Sequence, residues 1–215
     1  MILANTPGFG ERFPMTAIIN EIRQRDGFLT VEETLSLCYR NTIYDPYSTL
    51  ISRYVQLGSG NIFYPCTTIR CQADAGCAIG DRNTFHSLTM IEACGGTVTI
   101  GSGNTFGAGG FTAKADRVGT RITIGNRGRY TSGASVFGNT HLGTGSQILG
   151  QIAVLDCHLA DGEDFTHDDP DERAAVLKGS GPARGLQIGV GEVIFGKSTF
   201  EQAGIQRQTD FHPKS

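Results

Sequence analysis

Apolar residues recur along this chain at every sixth position. Ile124, Tyr130, Val136, Leu142, Ile148 and Val154 form an unbroken run. The same spacing links Leu57, Phe63 and Ile69, then Ile79, Phe85 and Ile91, then Ile100 and Phe106, and late in the chain Ile188, Ile194 and Phe200. A helix face repeats at about 3.6 residues and a half-buried strand at about 2, so this spacing belongs to neither alone. It fits short strands joined by tight corners, each strand sending one side chain into a shared interior. That predicts an all-β repeat fold, a β-helix of about five or six coils in which each coil buries its core against the next. Side chains alternate along a strand, so the residue two before each rung points inward as well. Those positions include Val55, Asn61, Thr67, Cys77, Asn83, Thr89, Val98, Asn104, Ile122, Ala134, Thr140, Ser146 and Ile152. Nearly all are small or β-branched, as a narrow interior near a corner demands.

A longer repeat overlies the first. Leu57-Gly-Ser-Gly-Asn-Ile-Phe63, Ile79-Gly-Asp-Arg-Asn-Thr-Phe85 and Ile100-Gly-Ser-Gly-Asn-Thr-Phe106 are near-copies; segments starting at Ile124, Leu142 and Ile188 are looser ones. Their starts are 22, 21, 24, 18 and 46 residues apart. Eighteen is three sixes, one triangular turn, so the excess reads as loops at 73–76, 95–96 and 116–121 and a long excursion at about 160–185. Glycine after each rung permits the left-handed backbone that sharp corners need. Asn61, Asn83 and Asn104 fall in register, which predicts a stacked hydrogen-bonded ladder inside the coil.

The flanks read differently. Residues 1–14 read as an irregular lead-in. Met15 to Arg25 has helical spacing, with Ile18, Ile19 and Ile22 on one face and Asp26-Gly27 as a stop. Thr30-Val-Glu-Glu33 is a capping box opening a second helix whose face is Val31, Leu35, Cys38 and Tyr39. The pair, within a 1–49 segment, is expected to cover the open first coil, because an exposed β-helix end is an unpaired sheet edge. The coils occupy 50–200. Within the long excursion, Ala174 to Lys178 is compatible with one helical turn, and Gly179 to Gly185 reads as flexible. Residues 201–215 read as a polar tail.

These near-copies resemble the hexapeptide-repeat proteins, whose motif is [LIV]-[GAED]-x-x-[STAV]-x, over roughly residues 50–160 and 186–200. The resemblance implies a left-handed parallel β-helix and a homotrimer, since such prisms expose flat apolar faces that a threefold interface buries. The spacing itself does not show the hand, and parallel crossovers are otherwise nearly always right-handed.

Composition narrows the partners. A net charge of −3 over 215 residues gives no reason to expect nucleic acid or an acidic membrane. No apolar run approaches the ~20 residues of a membrane helix, and the N-terminus lacks the charge and length of a signal peptide, which together predict a cytoplasmic protein. Six cysteines include no C-x-x-C pair and read as small, reduced thiols.

The resemblance also implies chemistry. Many hexapeptide-repeat proteins are acyltransferases that use acyl-coenzyme A, with a histidine as general base on a small hydroxyl or amine acceptor. Imidazole suits that role because it titrates near neutral pH. Thr166-His167-Asp-Asp169-Pro170-Asp-Glu-Arg173 resembles the T-H-x-x-D-P-x-x-R stretch of the maltose and galactoside acetyltransferase branch, one residue shorter, and makes His167 a candidate base. His141, one before rung Leu142, points outward and is the second. His86, His158 and His212 read as corner, decaying-rung and solvated positions. Lys114, Arg121, Arg127 and Arg129 cluster with Arg117 as candidate partners for the phosphates of acetyl-coenzyme A or another acyl-coenzyme A. Arg82 and Arg127 share one repeat position. A zinc enzyme of the γ-carbonic-anhydrase kind needs three well-placed ligands, and the His158 and His167 spacing matches it poorly, so no metal is expected. The regular coenzyme-holding coils of family acetyltransferases are absent after the excursion. That favours the competing class, a non-catalytic repeat scaffold with the acidic loop as a partner-binding element.

Overall fold

The computed structural model describes residues 15–213; the expected lead-in over 1–14 and the last two tail residues lie outside them. The chain winds into an all-β parallel solenoid with few helices, consistent with a left-handed parallel β-helix. One face carries seven stacked strands, from Val55–Leu57 through Gly76–Ile79, Thr97–Ile100, Arg121–Ile124, Thr140–Leu142 and His158–Leu159 to Gln187–Ile188. We call this the third face. The first face runs from Thr42–Ile43 through Thr84–Phe85 and Gln147–Leu149 to Glu192–Lys197, and the second from Leu50–Ile51 through Phe111–Ala115 to Ile152–Leu155. Pairing along the coils is parallel and in register, as in Phe63↔Phe85, Phe106↔Tyr130 and Ile124↔Leu142.

Both inward ladders reach the interior. Except for Leu57 and Val55, half-buried at the N-terminal end, and Glu192 and Ser198, half-buried and exposed at the C-terminal end, every rung and every residue two before it is buried. Phe63, Phe85 and Phe106 stack nearly parallel with centroids 5.0 and 5.1 Å apart, and Tyr130 continues the column at 5.4 Å. Beside it runs the asparagine ladder. Asn83 Nδ2 donates to Asn61 Oδ1 (3.1 Å) and to the Gly101 carbonyl (3.0 Å), and Asn104 repeats the pattern on Asn83 and Gly125. Buried amides need such complete pairing. The ladder ends at Gly128, whose N–H donates to Asn104 Oδ1 at 2.7 Å. Glycine stands there because the Tyr130 hydroxyl, which the preceding phenylalanines lack, fills the space an asparagine would take and meets Ser146 Oγ at 3.1 Å.

Corners between the third and first faces are tied outside by a second ladder. Backbone N–H groups of Ser59, Asp81, Ser102, Asn126 and Thr144 donate in turn to the side chains of Asp81, Ser102, Asn126, Thr144 and Asp161, at 2.7–3.2 Å. Arg82 and Arg127 do share a position in this corner, both left-handed, with φ of 55° and 54°.

The flanking expectations fare unevenly. The helix Met15–Arg25 (α1) and the capping-box helix Val31–Ser36 (α2) form where the sequence places them. Leu29 and Leu37 pack against the core, so this segment does cover the first coil. The helix faces are a correction: Ile18, Ile22, Leu35 and Tyr39 are exposed, and α1 is held instead by Arg23, which is 4 % exposed. Its guanidinium donates to the carbonyls of Leu29, Pro46, Tyr47 and Thr49 and to Thr34 Oγ1, gathering both helices and the following turn. Five acceptors offset the desolvation of that charge, which an apolar-periodicity argument does not anticipate. The long excursion is shorter than expected. Residues 176–184 are neither helical nor flexible: Val176–Arg184 is one strand that bends from the first face onto the second at Gly179 and Gly181, both left-handed. Parallel partners on both sides, Gln147 and Val193 against Val176, impose that conformation. Beyond residue 200, Ile205–Arg207 pairs antiparallel with Glu192–Lys197 and closes the C-terminal end.

Candidate functional site

The loop over 160–175 leaves the third face after Leu159 and rejoins the first face at Val176, so it crosses the corner between them. Its own carboxylates fold it down. Asp161 accepts from the Thr144 N–H at 2.7 Å, and that bond above all holds its carboxyl below the usual range. Asp164 accepts from the Thr166 hydroxyl (2.6 Å) and N–H (3.0 Å), which depresses it likewise, with further help from Arg127 at 3.3 Å. Asp171 pairs with Arg207 at 2.6 Å and fastens the loop to the C-terminal segment.

The two candidate bases are separated. His167 is committed within the loop: Nδ1 lies 3.3 Å from the Asp169 carbonyl, Nε2 3.4 Å from Glu172, and its own carbonyl accepts from Arg173 Nε at 2.7 Å. His141 looks out from the third face. It stacks on His158 of the next rung with centroids 4.7 Å apart, and its Nε2 lies 3.7 Å from the Asp161 carboxylate, within ion-pair range. Nδ1 of His141 has no hydrogen-bond partner among the described residues. His86 sits on the outer column of the first face, stacked on Tyr64 at 4.7 Å, which in turn meets Tyr44. The column stops at Gly107, where any side chain would strike the His86 Cβ.

The cations expected to act together point different ways. Lys114 lies on the second face, paired with Glu92 at 2.8 Å. Arg121 is exposed at the start of its third-face strand, and Arg127 is engaged by Glu163 and Asp164 at the corner. Arg117 lines a polar hollow with Asp116, Asp156 and Arg184, and Arg129 reaches a separate concavity, its guanidinium lying over the Phe165 ring at 5.2 Å.

That concavity is a groove of about 550 Å³ on the first face. Its floor is made of outward residues of three successive rungs, among them Gln147, Leu149, Lys178 and Phe195. Phe165 and Arg173 of the loop form one wall, and Phe211 and His212 of the C-terminal segment form another. Buried Gln208 pins the C-terminal wall by donating to the Ala174 carbonyl at 2.7 Å. The sequence reading missed these floor residues. Their signal lies immediately after the rungs, where Leu149 and Phe195 put large apolar groups on outward positions that Gly107 and Thr131 occupy in earlier coils.

Cys71, Cys77 and Cys157 are buried, and burial pushes the Cys77 thiol up to about 12; Cys38 and Cys66 are exposed. Among the described residues no group of three or more His, Cys, Asp or Glu side chains is arranged to hold a metal ion, and no helix is long and apolar enough to cross a membrane. No protein-family model matches the chain, and no curated protein matches it significantly.

Proposed function

We propose that the protein is a hexapeptide-repeat acyltransferase that moves an acyl group from acyl-coenzyme A to a small hydroxyl or amine acceptor. The observation that carries the reading is the His141–Asp161 pair on the open third face. A base must meet its acceptor's proton, and a carboxylate behind the imidazole fixes the ring and stabilises the imidazolium that forms. Asp161, held ionised by the Thr144 N–H, supplies that carboxylate, and the unpartnered nitrogen of His141 is the one that takes the proton. His167 belongs to the loop's own bonding in this reading and positions rather than reacts. Assembly as a homotrimer completes the proposal, by setting a neighbouring protomer against the third face to form the cleft.

The test is release of free coenzyme A thiol from acetyl-coenzyme A across a panel of small alcohols and amines, with solution mass measured alongside; a trimer weighs three times 23.0 kDa. His141→Ala is expected to lower kcat by about 10²–10⁴-fold, the usual contribution of a general base, while His167→Ala leaves most of the rate. Undiminished turnover in His141→Ala removes the assigned base. A second reading, ligand binding without chemistry, is favoured by the first-face groove, which contains neither His141 nor His167. Ligand binding by a protein that releases no thiol with any acceptor would select it.

A further inference from the structure

The first-face groove stands apart from the His141–Asp161 pair, and its lining has a consistent chemistry. Among the described residues, the half-exposed phenylalanines are Phe165, Phe195 and Phe211, and all three line it. Apolar side chains gathered at one concave, cation-rimmed place mark a binding surface rather than incidental exposure. Three cations, Arg129, Arg173 and Lys178, join them, and among the described residues no carboxylate lines the groove. Among the described residues Lys178 has no ion-pair partner, and Arg129 is engaged only by the Phe165 ring. Arg173 anchors through Nε to the His167 carbonyl, leaving its terminal nitrogens uncommitted.

Gln147 is an independent sign. It is 6 % exposed, yet its carboxamide has no hydrogen-bond partner among the described residues. Its place on the strand, immediately before rung Ile148, turns it outward to the groove floor instead of into the solenoid core. Its carboxamide is open to the groove, the sealed side-chain polar atom without a partner among the described residues being Thr49 Oγ1, so a ligand oxyanion would take the place of water on its N–H groups.

We infer that the groove binds an amphipathic organic anion, a single oxyanion head on an apolar body. The head lies against the Gln147 carboxamide and the cations, and the body against Leu149, Phe195 and Phe211. The volume suits a ligand of drug size.

Calorimetric titration of the full chain with decanoate and with 2-naphthoate tests this, with uncharged 1-decanol and inorganic phosphate as controls. At least one carboxylate is expected to bind, with both controls at least about tenfold weaker. Gln147→Leu is expected to weaken that binding about tenfold, the worth of a charge-assisted hydrogen bond, while the melting temperature holds, because the carboxamide makes no hydrogen bond to the described residues. Lys178→Ala, at an exposed position, weakens binding with the melting temperature unchanged. Binding by neither carboxylate overturns the inference, as does phosphate or decanol binding equally well, or both variants keeping wild-type affinity. His141→Ala is expected to bind as wild type does, so failure of the transferase reading and failure of this one register separately.

Discussion

Where the asparagine ladder stops, two residues have exchanged volume, and a double-mutant cycle measures the exchange. In the rung above, Asn104 and Phe106 occupy the positions that Gly128 and Tyr130 occupy here. A methyl group added at Gly128 would lie 2.5 Å from Tyr130 Cζ and 2.8 Å from Cε2, and nearer still to the hydroxyl. The ring has no room to move: it is fully buried, 5.4 Å from Phe106 and 5.6 Å from Phe111. Overpacking of this kind costs about 1–3 kcal/mol, and the rigid surroundings put Gly128→Ala near the top, about 3 kcal/mol. Tyr130→Phe removes the hydroxyl and leaves Ser146 Oγ, also buried, without its partner at 3.1 Å; that costs about 1–2 kcal/mol. In the double variant the tightest contact, to the hydroxyl, is gone while those to Cζ and Cε2 remain, so only part of the overpacking is relieved, a coupling of about 1–2 kcal/mol. Urea unfolding of all four proteins, followed by far-ultraviolet circular dichroism, gives the four free energies. Costs that add to within about 0.5 kcal/mol would refute the volume exchange. Gly128→Asn combined with Tyr130→Phe tests it more severely, because it should extend the ladder by one rung and outstabilise the double variant with alanine.

Two further outcomes follow from the same bonding. Asn83→Ala removes the acceptor of the buried Asn104 N–H and the donor to the part-buried Gly101 carbonyl; the expected cost is about 2–4 kcal/mol in urea unfolding, and a loss under 1 kcal/mol would mean that water replaces the amide. For the loop, the folded carboxyls of Asp161 and Asp164 are depressed, chiefly by the Thr144 N–H and by Thr166. Their contribution is therefore complete above the unfolded value of about 3.9 and is lost as pH falls through the folded values. Hydrogen-exchange protection of the Thr144 and Thr166 amides should hold constant from pH 8 to 5 and fall only below about pH 4; loss of protection already at pH 6 would contradict the assignment.

The periodic half of the molecule was open to reading because every coil poses the same packing problem and solves it with the same residues. Phe63, Phe85 and Phe106 are inward for one reason, and so are the asparagines two positions before them. Where the answer was unique to one place, periodicity had nothing to compare. Arg23 is buried because five oxygens happen to converge on it, and no spacing rule encodes that convergence. Leu177 and Ala183, which precede rung Ile188 in the same coil, escaped notice because Ala183 is too small to register as a rung and Gly179-Ser-Gly-Pro182 has the composition of a loop, although both leucine and alanine are fully buried. Parallel strands on each side override that local preference. The candidate bases were legible as residue types, but their partners were not: Asp161 reaches His141 only because the corner ladder carries it there, twenty residues along the chain.

The placement of the groove follows from the same contrast. A regular prism presents flat faces, and a flat face does not enclose a ligand. Through the rung of Arg129–Thr131 the first face carries Thr42, Ile62, Thr84, Thr105 and Arg129 outward in register beside the Tyr44, Tyr64 and His86 column. At the next rung the repeat degenerates: Ser146 and Ile148 replace the asparagine and the aromatic, Gln147 and Leu149 appear outside, and the loop departs two strands later, from the third face. Walls then come from two sequence-distant segments, the loop and the C-terminal residues, joined by Asp171 and Arg207. Departure from the repeat and appearance of a concavity coincide because only residues released from stacking coils can stand above a face. In a solenoid of this kind the coils that break the pattern are the ones to search for chemistry, and here they hold the groove, His167 and the Asp161 that faces His141.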